Sequence, residues 1–401
     1  MTAKKILLEA TEIENKIIEH RRKLHQNAEV GFDLNDTVSF VKHELENMGI
    51  TAKDCGKAGV VANIGSKNNG EKVFLLRADM DALPISEDSG LEFSSKNSNM
   101  HACGHDMHTA MLLGAAQILK MHEKEIKGSI KLMFQPAEEL LEGADDMIKA
   151  GVLDNPKVDA AFMIHVMTGI NFNAGTAIIS SPGVSAPGAD FFDIEVQGKG
   201  CHGSSPNMGI DALNAAAHIL IALQEIHARE LAMSEQAALT IGKMSGGTAA
   251  NVIADTAVLS GSLRSFSEET RAFIKRRTEE IAQLTASTFR ATAKVNFTSG
   301  CPSLINDKSL YQCVNMYVSE LLGNERVLCS GSLGNSTVSG SEDFAYVSQQ
   351  VPSIMLALAA GNSDEGYGHP LHHPKVKFDE SALAVGSAIY AYTAMRWLEE
   401  H

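Results

Sequence analysis

The sequence is poor in basic residues, with 34 lysines and arginines against 49 aspartates and glutamates and a formal net charge of -15. Such a surface repels a nucleic-acid backbone and an anionic membrane, so we exclude both as partners. The six cysteines are scattered along 401 residues without the dense spacing of a disulfide scaffold. No apolar run is long enough to cross a bilayer, and the charge-interrupted apolar spacing of residues 1–26 predicts one amphipathic helix instead of a signal-peptide core. We therefore expect reduced thiols and a cytoplasmic protein.

The hydrophobic residues, 44% of the chain, are enough for two cores in a sequence of this length. Up to about residue 180, amphipathic stretches alternate with short apolar runs. The runs predicted to be strands of a buried sheet are VVANIG, VFLLRAD, IKLMFQ and AAFMIH. This alternation predicts an α/β domain whose reactive residues follow the strand ends.

The pattern changes near Pro187 to half-buried strands and two helical stretches, and it returns to buried runs after Cys301. We predict a two-domain α/β protein in which a catalytic domain with a mostly parallel central sheet is interrupted by an inserted α+β domain. The predicted boundaries are 1–186 and 302–401 for the metal-binding catalytic domain and 187–301 for the inserted domain.

A cluster of metal-ligand types lies in HACGHDMHTA, residues 101–110. Cys103 and His105 are two positions apart, so on an extended segment both side chains reach the same side and can hold one cation or a close pair. His101 and His108 are additional candidates. A turn that happens to contain histidines is the alternative.

Carboxylates follow two of the predicted strands. Glu138 and Glu139 come after IKLMFQ, where one carboxylate can coordinate a metal while its neighbour faces a water molecule. Taken alone, the pair is equally typical of a solvated helix start. Asp79 and Asp81 follow VFLL. We predict that Asp81 does not bind the metal itself but orients a histidine that does.

Two further histidines complete the predicted set. His165 ends the run AAFMI, a position that by itself favours a hydrogen-bonded core histidine. His372 and His373 lie in a histidine-rich loop before the last helix, which also suits an exposed loop. The prediction of a metal centre depends on all these segments together, because each follows a predicted sheet element.

Eight segments, in order, resemble the amidohydrolase branch of the aminoacylase and carboxypeptidase metallopeptidase family, which includes hippurate hydrolases and indole-acetyl-amino-acid hydrolases. The resemblance covers the chain from about residue 20 to the C-terminus. The segments are RRKLHQNAEVGF, LLRADMDALPI, HACGHDMHTAMLLGAA, FQPAEE, GKGCHGSSP, GGTAANVIADTAVLSGSLRSF, SGSEDFA and LHHP.

The resemblance implies two divalent metal ions, with Glu138 as the base that deprotonates the attacking water and Asp81 as a supporting catalytic residue. The ligands that it implies are Cys103, His105, Glu139, His165 and His372. His372 is preferred to His373 by its place in the motif. The metals expected with a cysteine ligand are zinc, nickel, cobalt or manganese.

The resemblance also implies that the inserted domain is a lid and dimerisation surface in a homodimer or homotetramer. His202, Asn251 and Arg264 are then expected to bind the substrate, a small N-acyl amino acid. The expected reaction is hydrolysis of its amide bond, with a dipeptidase or carboxypeptidase of the same family as the alternative.

Two other mechanisms compete with this prediction. Cys103 beside histidines is also the arrangement of a thiol nucleophile, which would need no metal. Alternatively, the two domains could close on a ligand without turnover. The presence of Glu138 beside Glu139 argues against a protein that only binds, since such a protein needs no base.

Overall fold

A computed structural model describes residues 2–65, 71–329 and 340–401. The described residues form two units, each with its own hydrophobic core. The first unit lies within Met1–Ser185, Ile305–Thr337 and Tyr346–His401, and the second within Ala186–Leu304 and Val338–Ala345. The predicted α/β two-domain class is confirmed.

The α-helices of the described residues are α1 (Ala3–Glu12), α2 (Glu14–Gln26), α3 (Asn35–Asn47), α4 (His105–Met121), α5 (Gly143–Lys149), α6 (Ala212–Ala222), α7 (Glu268–Thr288), α8 (Lys308–Leu322), α9 (Ala345–Ser348) and α10 (Ala382–Glu400). None of these helices combines the length and the apolar character needed to span a bilayer.

The strands of the described residues are β1 (Ala52–Cys55), β2 (Gly59–Gly65), β3 (Val73–Asp79), β4 (Ser129–Gln135), β5 (Ala160–Met167), β6 (Ala177–Ile179), β7 (Gly183–Ala186), β8 (Gly188–Gln197), β9 (Cys201–His202), β10 (Ala237–Gly246), β11 (Val252–Ile253), β12 (Thr256–Ser265), β13 (Thr292–Cys301), β14 (Leu304–Asn306), β15 (Val327–Cys329) and β16 (Ser353–Ala359). All four runs predicted as strands of the first sheet are strands.

The first unit is built on an eight-stranded sheet in the order β1-β2-β4-β3-β5-β16-β6-β15. Its central strands β4, β3, β5 and β16 are mutually parallel, while β1, β2 and β6 add antiparallel pairs. Every residue of β3, β4 and β16 is buried, as expected for parallel strands covered on both faces. The carboxyl ends of the parallel strands share one edge, where the residues that follow them meet.

The second unit is an antiparallel sheet with helices packed against it. The sheet has the order β10-β12-β8-β13, and α6 and α7 cover it. Its core joins side chains of both layers, among them Ile194, Leu259, Ile219 and Ile274. A separate two-stranded ribbon pairs β9 with β11. The role of a lid or dimerisation surface stays a prediction.

The N-terminal segment differs from its prediction, because it forms two helices instead of one. The backbone at Ile13 leaves the helical region, with φ -100° and ψ 4°, and α2 begins at the next residue. Ile6 and Ala10 of α1 and Ile17 and Leu24 of α2 are all buried. The bend at Ile13 lets the apolar faces of α1 and α2 both pack against the core. A single straight helix along this segment need not bring both faces there.

A buried ion pair gives a prediction for the stability of the second unit. Asp190 accepts from Arg271 Nε at 2.6 Å and Nη2 at 2.9 Å, with Lys275 Nζ at 2.7 Å. The substitution Arg271→Ala leaves a nearly buried carboxylate with one cation, so we expect it to lower the free energy of unfolding by about 3 kcal/mol in urea denaturation. Arg276→Ala, which breaks an exposed pair with Glu280 on the same helix, is the control and should change it little. Equal losses in both variants would contradict this account.

Candidate metal centre

The candidate site lies at the carboxyl edge of the parallel strands. Asp79 is the last residue of β3, Glu138 and Glu139 follow β4, and His165 lies near the end of β5. Strand β3 pairs in parallel with both β4 and β5, so their carboxyl ends are neighbours. The topology thus brings together residues that lie far apart in the sequence.

Cys103 and His105 are presented by the turn that starts α4. Gly104 between them has φ 86°, and a Cβ at this position would lie 2.4 Å from a methyl carbon of Val166. Only glycine fits both the left-handed conformation and this close approach. The glycine therefore lets a buried cysteine and a buried histidine stand side by side at the start of the helix.

His105 is oriented by a backbone carbonyl. Its Nδ1 lies 2.8 Å from the carbonyl oxygen of Asp81, which can only accept a hydrogen bond, so the proton lies on Nδ1. Its Nε2 faces the carboxylates of Asp79, Glu138 and Glu139, at 3.7 Å, 3.8 Å and 3.9 Å. With Nδ1 bonded to the carbonyl, Nε2 is the nitrogen that can bind a metal.

His165 is fixed in the same way. Its Nδ1 lies 2.7 Å from the carbonyl oxygen of Val166, so the proton lies on Nδ1 and Nε2 faces Cys103 Sγ at 3.6 Å. Burial lowers the pKa of His165 to about 3, so the ring is neutral and ready to coordinate. His165 therefore has a nitrogen directed at Cys103, and its role as a ligand stays a prediction.

Glu138 and Glu139 are held by Asp81. Their backbone N–H groups donate to the two carboxylate oxygens of Asp81, at 3.0 Å and 3.2 Å. Ala137 before them has φ 53°, an unfavourable conformation for a residue with a Cβ. Asp81 therefore contacts the backbone of both glutamates through its carboxylate and His105 through its carbonyl, and its catalytic role stays a prediction.

His372 completes the cluster and His373 does not. His372 Nε2 lies 3.3 Å from Cys103 Sγ and 3.5 Å from Glu139 Oε1, and its backbone is left-handed with φ 64°. His373 instead accepts a hydrogen bond from the Lys375 N–H through Nδ1 and stacks on His369. Of the two neighbouring histidines, His372 is the one that lies beside Cys103 and Glu139, and it is also the one that the motif favours.

The distances between these side chains suit coordinated cations. Zinc–ligand bonds of about 2.3 Å to sulfur and about 2.0 Å to nitrogen, at a tetrahedral angle, place S and N about 3.6 Å apart. The observed separations from Cys103 Sγ are 3.6 Å and 3.3 Å. Two candidate triads share Cys103, one with His105 and His165 and the other with Glu139 and His372. Such a shared thiolate suits a pair of metals.

The electrostatics of the cluster also fit a cation. His105 Nε2 and Glu139 Oε1 are buried and have no hydrogen-bond partner among the described residues. Burial, reinforced by Asp81 and Asp79, raises the pKa of Glu139 to about 7. Burial and the Glu139 carboxylate also raise the pKa of the Cys103 thiol well above its usual value. Positive charge at this point would stabilise both anions, so the donor set fits divalent cations.

His108 and His101, the additional candidates, do not join the cluster of free donors. His108 donates from Nδ1 to Asp79 at 2.6 Å and accepts the Val166 N–H at Nε2, so both nitrogens are used. Asp79 is also bound by the buried Arg77, at 2.7 Å. His101 belongs to none of the candidate ligand groups found in the described residues. Arg77 was not singled out from the sequence, although a charge inside the apolar run VFLLRAD is a signal for such a buried pair.

In the second unit, His202 and Asn251 are close to each other. Strand β9 pairs His202 with Val252 of β11, and the Gly203 N–H donates to the Asn251 carbonyl at 2.8 Å. The Ser204 N–H donates to His202 Nδ1 at 3.1 Å, which places the ring proton on Nε2. His202 is exposed, so this Nε2–H is an available donor.

Arg264 lies in the four-stranded sheet of the second unit, on β12. Its guanidinium carbon is 5.2 Å from the centre of the Phe191 ring, which lies diagonally across from it on β8. Within the part of the chain that the structure describes, Arg264 makes no ion pair, and its Nη1 contacts only the Leu263 carbonyl at 3.4 Å. Its remaining donors are free for an anion. The roles of all these site residues stay predictions.

Comparison with known proteins agrees with this arrangement. Residues 75–396 match the model of the Peptidase family M20/M25/M40. The chain is 37% identical over 396 residues to IAA-amino acid hydrolase ILR1-like 2 of Arabidopsis thaliana, covering 97% of this chain and 87% of that protein. It is 36% identical to N-acetyl-L-cysteine deacetylase of Bacillus subtilis, covering 97% and 90%.

The fold is also that of a solved member. The Bacillus subtilis YXEP protein, described as a dinuclear metal binding peptidase from the M20 family, superposes with a TM-score of 0.78 and 30% identity. The match covers 97% of this chain and 99% of that one. The chain therefore belongs to the peptidase family M20/M25/M40 and is an enzyme that hydrolyses amide bonds.

Proposed function

We propose that the protein hydrolyses the amide bond of N-acyl amino acids with two divalent metal ions. The observation that carries this proposal is the convergence of five candidate ligand side chains on two triads that share the buried Cys103, with Nδ1 of His105 and of His165 held by backbone carbonyl groups. The ligands are Cys103, His105, Glu139, His165 and His372, and the metals are zinc, nickel, cobalt or manganese. When bound, such cations lower the pKa of water and polarise the amide carbonyl.

Glu138 is the general base in this proposal. Its side chain is buried beside the ligand Glu139, and its backbone is held by Asp81. The carboxylate is within 3.8 Å of His105 Nε2, so it lies beside the ligands. It takes a proton from the attacking water and delivers it to the departing nitrogen, which makes the amine a better leaving group.

The substrate class is supported by two relatives and by chemistry in the second unit. The relatives from Arabidopsis and Bacillus subtilis act, by name, on an indole-acetyl amino acid and on N-acetylcysteine. We assign the Nε2–H of His202 to the developing oxyanion, Asn251 to substrate binding and Arg264 to the substrate carboxylate. The cytoplasmic location and the homodimer or homotetramer stay predictions.

A hydrolysis screen with metal control tests the proposal. Metal-reconstituted protein is given N-acetyl, N-benzoyl and indole-acetyl amino acids together with unblocked dipeptides. We expect release of the amino acid from at least one N-acyl series, loss of this activity with a chelator, and recovery with added zinc, nickel, cobalt or manganese.

The competing mechanisms give other results in the same screen. Activity that survives complete chelation would support Cys103 as a nucleophile. Hydrolysis of the dipeptides alone would favour a dipeptidase. Failure to cleave any compound while both metals are bound would favour a protein that binds its ligand without turnover.

Arg264 gives a prediction about the substrate carboxylate. Arg264→Ala should lower kcat/KM on the best N-acyl amino acid by about 10- to 100-fold, because a hydrogen-bonded charge pair is worth about 1.5–3 kcal/mol. The same variant should change little on the matching N-acyl amino acid amide, which lacks the carboxylate. Arg264→Lys keeps the positive charge but lacks the planar guanidinium, so its kcat/KM on the N-acyl amino acid should lie between those of wild type and Arg264→Ala. Equal losses on acid and amide would rule out this contact.

A further inference from the structure

Helix α2 carries a buried ionic cluster whose role the proposed chemistry does not explain. Arg21 Nε and His25 Nδ1 both donate to Asp106 Oδ2, at 2.7 Å and 2.8 Å. His25 Nε2 lies 3.1 Å from Glu87 Oε1. All three members of the Arg21–His25–Asp106 group are at most 1% exposed. These residues come from the RRKLHQ and GHDMH segments, so the cluster joins the first helices to the start of α4.

His25 is positively charged in this cluster. Carboxylates face both of its ring nitrogens, so both nitrogens are donors. Burial disfavours the charge, but Asp106 and Glu87 outweigh burial and raise the pKa of His25. Arg21 and His25 thus face the carboxylates of Asp106 and Glu87 inside the protein.

The cluster binds residues close in the sequence to two of the proposed ligands. Asp106 directly follows the ligand His105 in the first turn of α4, and α4 has no side-chain cap at Gly104. Arg21 Nη1 also lies 3.1 Å from Glu380 Oε1, and Arg22 Nη2 lies 2.6 Å from Glu380 Oε2. Glu380 comes eight residues after the ligand His372. One helix face is therefore bonded to two segments that supply ligands from opposite ends of the chain.

Phe93 covers this helix face and limits its freedom. The guanidinium carbons of Arg21 and Arg22 lie 4.6 Å and 4.8 Å from the centre of its ring. The His25 ring meets Phe93 edge-on, with centroids 5.5 Å apart. Each side chain of the helix face thus has fixed packing in addition to its ion pairs, which makes it suitable for holding other groups in place.

We propose that Arg21, Arg22 and His25, called here the α2 clamp, are positioning residues for the metal centre, an inference that rests on the proposed metal-dependent function. The clamp holds Asp106 and Glu380 so that His105 and His372 stand at ligand distance from Cys103 and Glu139. Buried ion pairs are weak sources of stability, because an apolar replacement is often as stable. Positioning of the ligand-bearing segments therefore explains these buried charges better than a contribution to the free energy of folding does.

The test compares two buried histidines of the same helix. His25→Gln removes the clamp's charged contact with Asp106, while His20→Gln is the matched control. His20 is also buried and bonded to a carboxylate, Glu44, at 3.1 Å, but it does not contact Asp106. Metal-free full-length proteins are titrated with cobalt(II) against a competing chelator, and the absorption spectrum of the cobalt protein and the Tm of the metal-free protein are recorded.

We expect both variants to lose a similar amount of Tm, but only His25→Gln to weaken cobalt binding, by about 10-fold or more, and to change the cobalt spectrum. Wild-type affinity and spectrum in His25→Gln, or equal weakening in His20→Gln, would overturn the proposal. If His25→Gln does not fold, Glu380→Gln, at a partly exposed position, decides by the same two readouts.

This experiment distinguishes failure of the proposed function from failure of the clamp proposal. If the wild-type protein binds no cobalt, both the metal centre and the clamp are contradicted. A wild-type protein that binds cobalt, with clamp variants that bind it equally well, would remove the clamp alone. Because the readouts are affinity and spectrum, the identity of the substrate does not enter.

Discussion

Glu138→Gln is expected to lower kcat by about 10³-fold while leaving both metal ions bound. The amide side chain keeps the shape of Glu138 but cannot accept a proton, and a positioned general base contributes about 10²- to 10⁴-fold. Glu138 is not one of the five proposed ligands, so metal content should stay at the wild-type level. The measurement is kcat on the best substrate of the screen together with metal content per chain.

The control for this variant comes from the same segment. Glu142→Gln changes an exposed glutamate four residues away, and it should keep wild-type kcat. If Glu138→Gln kept more than about a tenth of wild-type kcat at full metal content, another group would have to be the base. If Glu138→Gln lost metal instead, Glu138 would be a metal ligand, and the different roles assigned to Glu138 and Glu139 would be wrong.

His372→Ala is expected to lose metal and activity together, whereas His373→Ala should retain both. His372 Nε2 is within 3.5 Å of both Cys103 Sγ and Glu139 Oε1, so its loss opens the second triad. Mutation of a residue that hydrogen-bonds to a metal ligand lowers metal affinity by about 10- to 100-fold. Loss of the ligand itself should lower it by more than about 100-fold. Metal affinity, measured by competition with a chelator, and kcat/KM are the two readouts.

His373 provides the matched control because it is the adjacent residue with the same side chain. Its Nδ1 is bonded to the Lys375 N–H and its ring stacks on His369, and His373 belongs to none of the candidate ligand groups among the described residues. Equal loss of metal in both variants would show that the loop, and not the His372 side chain, supports the site. Loss only in His373→Ala would reverse the assignment.

Strand prediction was successful because the parallel sheet has a simple chemical signature. Strands β3 and β4 are buried on both faces, so they appear in the sequence as mostly apolar runs, interrupted by the buried Arg77 and Lys131 and bounded by polar turns. The N-terminal helix prediction was wrong in one respect, the break at Ile13. No proline or glycine marks that break, because it comes from the packing of two apolar faces against one core.

His165 and His108 show what local pattern cannot decide. By itself, the position of His165 favours a core histidine, and His108 beside His105 is an additional ligand candidate. In the structure Val166 accepts from His165 Nδ1 and donates its N–H to His108 Nε2. This residue of β5 thus leaves His165 Nε2 facing Cys103, while both nitrogens of His108 are already hydrogen-bonded.

The sequence by itself determined the classes of side chain available to this protein and the strand ends that carry them. Apolar runs specify the strands, and the glycine between Cys103 and His105 permits the turn that presents both. Only the tertiary structure decided which donors converge, since strand pairing and distant contacts, such as the Asp81 carbonyl that holds His105 Nδ1, bring them together. It also decided that Arg21 and His25 meet Asp106, because the partners of a buried charge lie wherever the fold brings them, 85 and 81 positions along the chain.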